Sequence, residues 1–176
     1  MGTFIDASNN AHGFVFDGST YTTLNDPFGG ISARGISGNT IVGAYTDAKN
    51  RTHGFVYDGA TWTTLDDPLF RASGITALYG IDGGKIVGNT LTGTVAGAAF
   101  LYDGATFNHP FGIEGLLMGL HHQFFGISGN RIVGEYNDKP FVYIIPEPAT
   151  YLLAALGGLS LLAICQRQRN RTSPQP

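Results

Sequence analysis

The chain repeats itself, and that limits what it can fold into more than any other feature. One nine-residue pattern occurs three times, as "GISGNTIVG" at 35–43, "GIDGGKIVG" at 80–88 and "GISGNRIVG" at 126–134. A second recurs as "HGFVFDGSTYTTLNDP" at 12–27, "HGFVYDGATWTTLDDP" at 53–68, "AAFLYDGATFNHP" at 98–110 and "KPFVYII" at 139–145. Self-similarity with a period of about 40–45 residues and four strands per unit is the pattern of propeller blades. A unit of that length cannot bury its own apolar faces, so it needs neighbours of the same kind.

Turn chemistry divides each unit into strands. Ser37-Gly38-Asn39, Asp82-Gly83-Gly84 and Ser128-Gly129-Asn130 separate apolar runs, where tight hairpins need residues that tolerate positive φ. Asp17-Gly18, Asp58-Gly59 and Asp103-Gly104 each precede a Thr-aromatic stretch carrying Tyr21, Trp62 or Phe107. In the second unit this predicts strand A near Ala33–Ile36, B over Thr40–Thr46, C over Thr52–Tyr57 and D over Thr61–Leu65. On strand C, Phe55 and Tyr57 point opposite to Val56; strand B sets Ile41 beside Val42. Both sheet faces are therefore apolar, as in sheets stacked face to face. The expected class is all-β: stacked four-stranded antiparallel blade-like repeats, propeller-like and incomplete. The units fall at about 1–30, 31–72, 73–112 and 113–145.

Composition agrees with that class. Hydrophobic residues make up 43% and charged residues 13%, with 26 Gly, 12 Phe and 8 Tyr, which suits a turn-rich β protein. The net charge is −3 although Arg167, Arg169 and Arg171 sit together near the C-terminus. The remaining body is acidic, which argues against a nucleic-acid partner. The one cysteine, Cys165, lies in the tail, so the repeats hold no disulfide and no thiolate metal site. The first unit lacks strand A and the last stops after strand C. Gly2 aligns with Gly43, "TFIDASNNAHGF" runs in register with "AYTDAKNRTHGF", and no secretory signal opens the chain. These points raise the expectation of a chain that continues upstream of Met1.

The second motif, with His12-Gly13-Phe14, His53-Gly54-Phe55 and Ala98-Ala99-Phe100, resembles the HAF-type extracellular repeats of bacterial secreted proteins across residues 2–145. The resemblance implies an extracellular location and carries no catalytic residues. A different signal follows. Residues 150–165 carry no charge and are rich in Leu; as a helix they would span roughly 24 Å, short of a full bilayer core. Arginines behind them favour a cytoplasmic end. A buried core helix is the competing reading at this length. Pro146-Glu147-Pro148, an apolar run and an Arg cluster, in that order over 146–171, resemble the PEP-CTERM sorting signal of Gram-negative bacteria, with residues 172–176 as a short extra tail. That resemblance implies a transmembrane helix at 150–165, recognition of the Pro-Glu-Pro motif by an exosortase in the inner membrane, and release of the body to the cell surface or an extracellular matrix.

Catalytic candidates are few. His12 and His53 share one repeat position that Ala98 fills in the third unit, which favours a structural role. His121-His122 point to opposite faces of a strand and cannot easily share a metal; His109 stands in a loop. Asp6, Asp47, Asn50 and Asp138 supply oxygens that calcium would accept, but turns explain them, and Lys49 and Lys139 stand nearby. Asn25-Asp26 and Asp66-Asp67 precede prolines as loop ends. No nucleophile elbow, phosphate loop or zinc-protease helix is present in the sequence. The expectation is a non-enzymatic structural or adhesive module without cofactor or metal, exported and sorted by an exosortase. Two alternatives stand beside it. One is a carbohydrate-binding propeller that uses Tyr21, Trp62 and Phe107 as platforms for an extracellular polysaccharide. The other is a fragment of a secreted hydrolase.

Overall fold

The computed structural model describes residues 1–70, 74–92, 95–111 and 122–147. Met1–Tyr143 forms one compact unit and Ile144–Pro176 a second, of which only 144–147 are described. All regular structure among the described residues is β. The first sheet contains β1 (Gly2–Ile5), β2 (Ala11–Phe16) and β3 (Tyr21–Thr23). The second holds β4 (Ile31–Ser37), β5 (Thr40–Thr46), β6 (Thr52–Tyr57) and β7 (Trp62–Thr64). The third holds β8 (Gly74–Asp82), β9 (Lys85–Thr92), β10 (Val95–Tyr102) and β11 (Phe107–Asn108). The fourth holds β12 (His122–Ser128), β13 (Arg131–Tyr136) and β14 (Lys139–Ile144). Each sheet is antiparallel with its strands in chain order.

The turns that end these strands are made by the residues the sequence offers. Gly38, Gly83 and Gly129 hold φ of 57°, 54° and 59° with open space around them, the conformation a two-residue hairpin opening on glycine needs. Between B and C strands, Asn9 and Asn50 take φ of 65° and 62°, which asparagine tolerates better than other side chains. Asn137 and Asp138 do the same in the fourth sheet.

The sheets stack. β4 lies across β1 and β2, β8 across β4, β5 and β6, and β12 across β8, β9 and β10. The second and third sheets thus each have a front that meets the preceding sheet and a back that meets the following one. The second sheet's front brings Ile31, Ala33, Ile41 and Phe55 together with Leu24 and Val15 of the first unit. Its back carries Val42 and Val56, which pack with Leu78, Ile81, Ile86 and Phe100 of the third sheet. This explains why strand B is apolar at adjacent positions: Ile41 faces forward and Val42 backward. Burying a side chain of this size stabilises by about 1.5–3 kcal/mol, so the core lies between sheets, not within one.

Three devices let the sheets approach closely. The last glycine of each nine-residue motif lies opposite the strand-C phenylalanine, as Gly43 does opposite Phe55 and Gly88 opposite Phe100. The ring covers the space a Cβ would need. Strand A carries a bulge at the same place in three sheets, between Ala33 and Gly35, Leu78 and Gly80, and Phe124 and Gly126. The glycines after the bulges meet back to back: a Cβ on Gly35 would stand 3.0 Å from the Gly80 Cα, and one on Gly80 2.9 Å from the Gly126 Cα. Finally, each loop from strand D to the next strand A delivers a phenylalanine. Phe28 stacks on Tyr45 at 3.8 Å, Phe70 is buried, and Phe111 stacks on His122 at 4.6 Å.

Candidate functional site

The polar side chains singled out in the sequence fall mainly in turns, where the backbone claims them. Asp6 Oδ1 accepts from the Ser8 and Asn10 amides, and Asp47 Oδ1 from those of Lys49 and Arg51. Asp47 Oδ2 also takes two bonds from the Arg51 guanidinium. Asp17, Asp58 and Asp103 each accept two amides of the following turn. Asn50 and Asp138 serve through their positive φ. With their oxygens already accepting from N–H groups, Asp6, Asp17, Asp47, Asp58 and Asp103 form hairpin ends. Among the described residues no three of His, Cys, Asp and Glu converge as a metal site.

The histidines tie strands to those turns. His12 Nε2 lies 2.9 Å from Asp6 Oδ2, and His53 Nε2 3.3 Å from Asp47 Oδ2, the same link in two successive units. His53 Nδ1 further meets Asp66 Oδ2 at 2.7 Å, while Asp66 Oδ1 accepts the Gly54 amide. Both ring nitrogens of His53 thus face carboxylate oxygens, one in its own B–C turn and one in the loop after strand D. In the third unit Ala98 replaces this histidine, and its carbonyl accepts from the buried Thr90 hydroxyl. His109, in the loop after β11, shares a 2.7 Å hydrogen bond with the fully buried Asp67 of the preceding unit. His122 opens β12 between the rings of Phe111 and Tyr136, and burial lowers its pKa. His121 lies outside the described residues.

The turn carboxylates give the fold an acid sensitivity with a definite sign. Amides, led by that of Asn10, lower Asp6 from 3.8 to about 2, with His12 helping. The Thr106 and Ala105 amides take Asp103 to about 2, and Asp17, Asp47 and Asp58 are lowered in the same way. A carboxylate depressed in the folded state stabilises above its unfolded pKa, and the contribution is lost as pH falls through the folded value. The melting temperature is therefore expected to hold above about pH 5 and to fall steadily between about pH 4 and pH 2. A thermal-melt series with no fall in that window would contradict these bonds.

The aromatic candidates occupy the D strands of three successive sheets. Trp62 is half-buried against Phe55, Tyr57 and Phe28, and Phe107 is half-buried against Phe100 and Tyr102. Tyr21 is exposed and stacks on Phe16 at 4.5 Å. A polar cleft of about 360 Å³ opens between the first and second sheets, with Asn9, Asn10, Tyr45, Thr46 and Arg34 in its wall. Sequence reasoning missed Arg34. It stands at the first bulge, its guanidinium 4.3 Å over the Tyr79 ring of the second bulge, and Tyr79 meets Phe125 of the third edge-on at 6.3 Å. Its Nη1 is buried with no hydrogen-bond partner among the described residues.

In the tail, Pro146 and Glu147 follow β14 outside any regular element, Pro146 half-buried and Glu147 exposed. Pro148, the helix expected at 150–165, Arg167, Arg169, Arg171 and residues 172–176 lie outside the described residues. Comparison with protein-family models, curated proteins and solved structures finds no match to this chain.

Proposed function

We propose that this chain is a non-catalytic, exported surface or matrix module of a Gram-negative bacterium, built from propeller-like β repeats and sorted through its C-terminal segment. The observation that carries the reading is the order of parts after the last strand: Pro146-Glu147-Pro148, an uncharged apolar run to Cys165, then Arg167, Arg169 and Arg171. The apolar run engages the inner membrane as a helix, the arginines hold its end in the cytoplasm, and the repeats lie outside. An exosortase-type enzyme reads the Pro-Glu-Pro motif and separates the body from the anchor. Proline suits both sides of such a site: Pro148 needs no amide partner in the first turn of a helix, and Pro146 keeps the chain ahead of it extended.

The repeats then act as a structural or adhesive module in contact with an extracellular polysaccharide. His12, His53 and His109 and the turn carboxylates Asp6, Asp47 and Asp66 are held in strand and turn contacts, which supports a structural reading of these residues. Replacing Pro146, Glu147 and Pro148 together with alanine is expected to retain the protein in the membrane fraction at full length. The unaltered chain is expected to yield a shortened body outside the inner membrane. Equal fractionation of the two chains would overturn the sorting reading.

A further inference from the structure

Arg34 is held by contacts that use little of its hydrogen-bonding capacity. It stands at the β4 bulge with its guanidinium 4.3 Å over the Tyr79 ring. Its Nε donates to Ser32 Oγ at 3.3 Å, while Nη1 is buried without a hydrogen-bond partner among the described residues. A guanidinium stays charged and offers five N–H donors, and a buried donor without an acceptor destabilises the fold. The nearby acids are committed elsewhere: Asp6 to His12, Asp47 to Arg51 and His53, and Asp66 to His53.

The same side chain borders the polar cleft of about 360 Å³, a size that suits a small ligand. Asn9, Asn10, Ser32, Thr46 and Thr52 give the wall amides and hydroxyls, and Arg34 is its one charged residue. The wall lies wholly within residues 9–52, between two sheets already in contact. Its complement is a molecule with one carboxylate among several hydroxyls. We propose that this cleft binds a uronate residue of an extracellular polysaccharide. Nη1 turns to the sugar carboxylate, a charge-assisted bond, and the neutral wall takes the hydroxyls. The inference rests on the polysaccharide contact proposed above and adds its site and the class of sugar.

Calorimetric titration of the full chain with tetragalacturonate tests this. It is run at about 0.15 M salt, where repulsion from the acidic body is screened beyond about 8 Å. Binding is expected, and at least about tenfold weaker binding of the methyl-esterified tetramer, which keeps the hydroxyls and loses the charge. Arg34→Met keeps a stem over Tyr79 without the guanidinium, and is expected to show the same loss with the thermal melt of the parent. Thr46→Tyr alters an exposed part of the wall, fills the cleft and leaves Arg34 in place. It is expected to abolish binding too, and retained binding would put the ligand elsewhere and overturn the proposal. Equal binding of acid and ester, unaffected by Arg34→Met, would overturn the uronate assignment while a polysaccharide contact still stood. Displacement by acetate at matched carboxylate concentration would mean a site for a bare anion and overturn it as well. So would no binding of either tetramer, with the sorting reading left to its own test by fractionation.

Discussion

Replacing Gly88 with valine is expected to lower the stability of the repeat body by about 3 kcal/mol or more, at the upper end of what overpacking costs. Gly88 pairs with Phe100 on one side and Leu78 on the other, and both partners are fully buried. A Cβ there would enter the Phe100 ring and stand 2.5 Å from the Ala77 carbonyl oxygen. The ring can shift, but the carbonyl belongs to β8 and moves only if the β8–β9 ladder opens. The loss is a large share of the roughly 5–15 kcal/mol a domain has available. Gly83, in the turn of the same hairpin, makes the control. It has open space and a φ of 54°, which asparagine also adopts, so Gly83→Asn is expected to cost under about 1 kcal/mol. Denaturant midpoints of the two variants measure this directly. Equal midpoints would mean that the glycine–aromatic pairing does not set sheet spacing.

Asn89→Leu is expected to cost about 2–4 kcal/mol for a different reason, the loss of partners for two buried backbone groups at about 1–3 kcal/mol each. Asn89 is buried on the back of the third sheet, where Nδ2 donates to the Phe124 carbonyl at 3.1 Å and Oδ1 accepts the Phe124 amide at 2.8 Å. One side chain thereby satisfies both backbone groups of β12 next to its bulge. Leucine has similar size and no polar atom, so packing survives while both groups are stranded. Hydrogen exchange at the Phe124 amide reports the change locally: it is expected to exchange at least tenfold faster in Asn89→Leu. An unchanged rate alongside an unchanged midpoint would show that the amide bridge contributes nothing between these sheets.

Strands B and C were legible residue by residue, because their signals are local. The observed Thr40–Thr46 and Thr52–Tyr57 coincide with the runs bounded by Gly-Asn and Asp-Gly turns. Strand A reaches further than its expected Ala33–Ile36, to Ile31–Ser37. The bulge at Arg34 inserts a residue that breaks the alternation, and nothing in a single sequence marks which residue is extra. Strand D is shorter than expected, Trp62–Thr64, although the Leu65 amide still bonds to the Gly54 carbonyl. Contacts between sheets were the least legible. Thr3, Ala44, Asn89 and Glu135 share one repeat position; of these, Thr3 bonds to the Ala33 amide and Asn89 to Phe124. Four residue types at one position carry no pattern. The pairing of His109 with Asp67 was hidden in the same way, because it joins two units across 42 residues of sequence.

The intact mass of the protein recovered from its host's envelope and growth medium tests the account most directly. The account expects a species in the surface or medium fraction that ends at or near Pro146-Glu147-Pro148 and lacks the apolar segment and its arginines. A species that keeps the chain through Pro176 and stays wholly in the inner membrane would make the tail a permanent anchor and contradict the sorting mechanism.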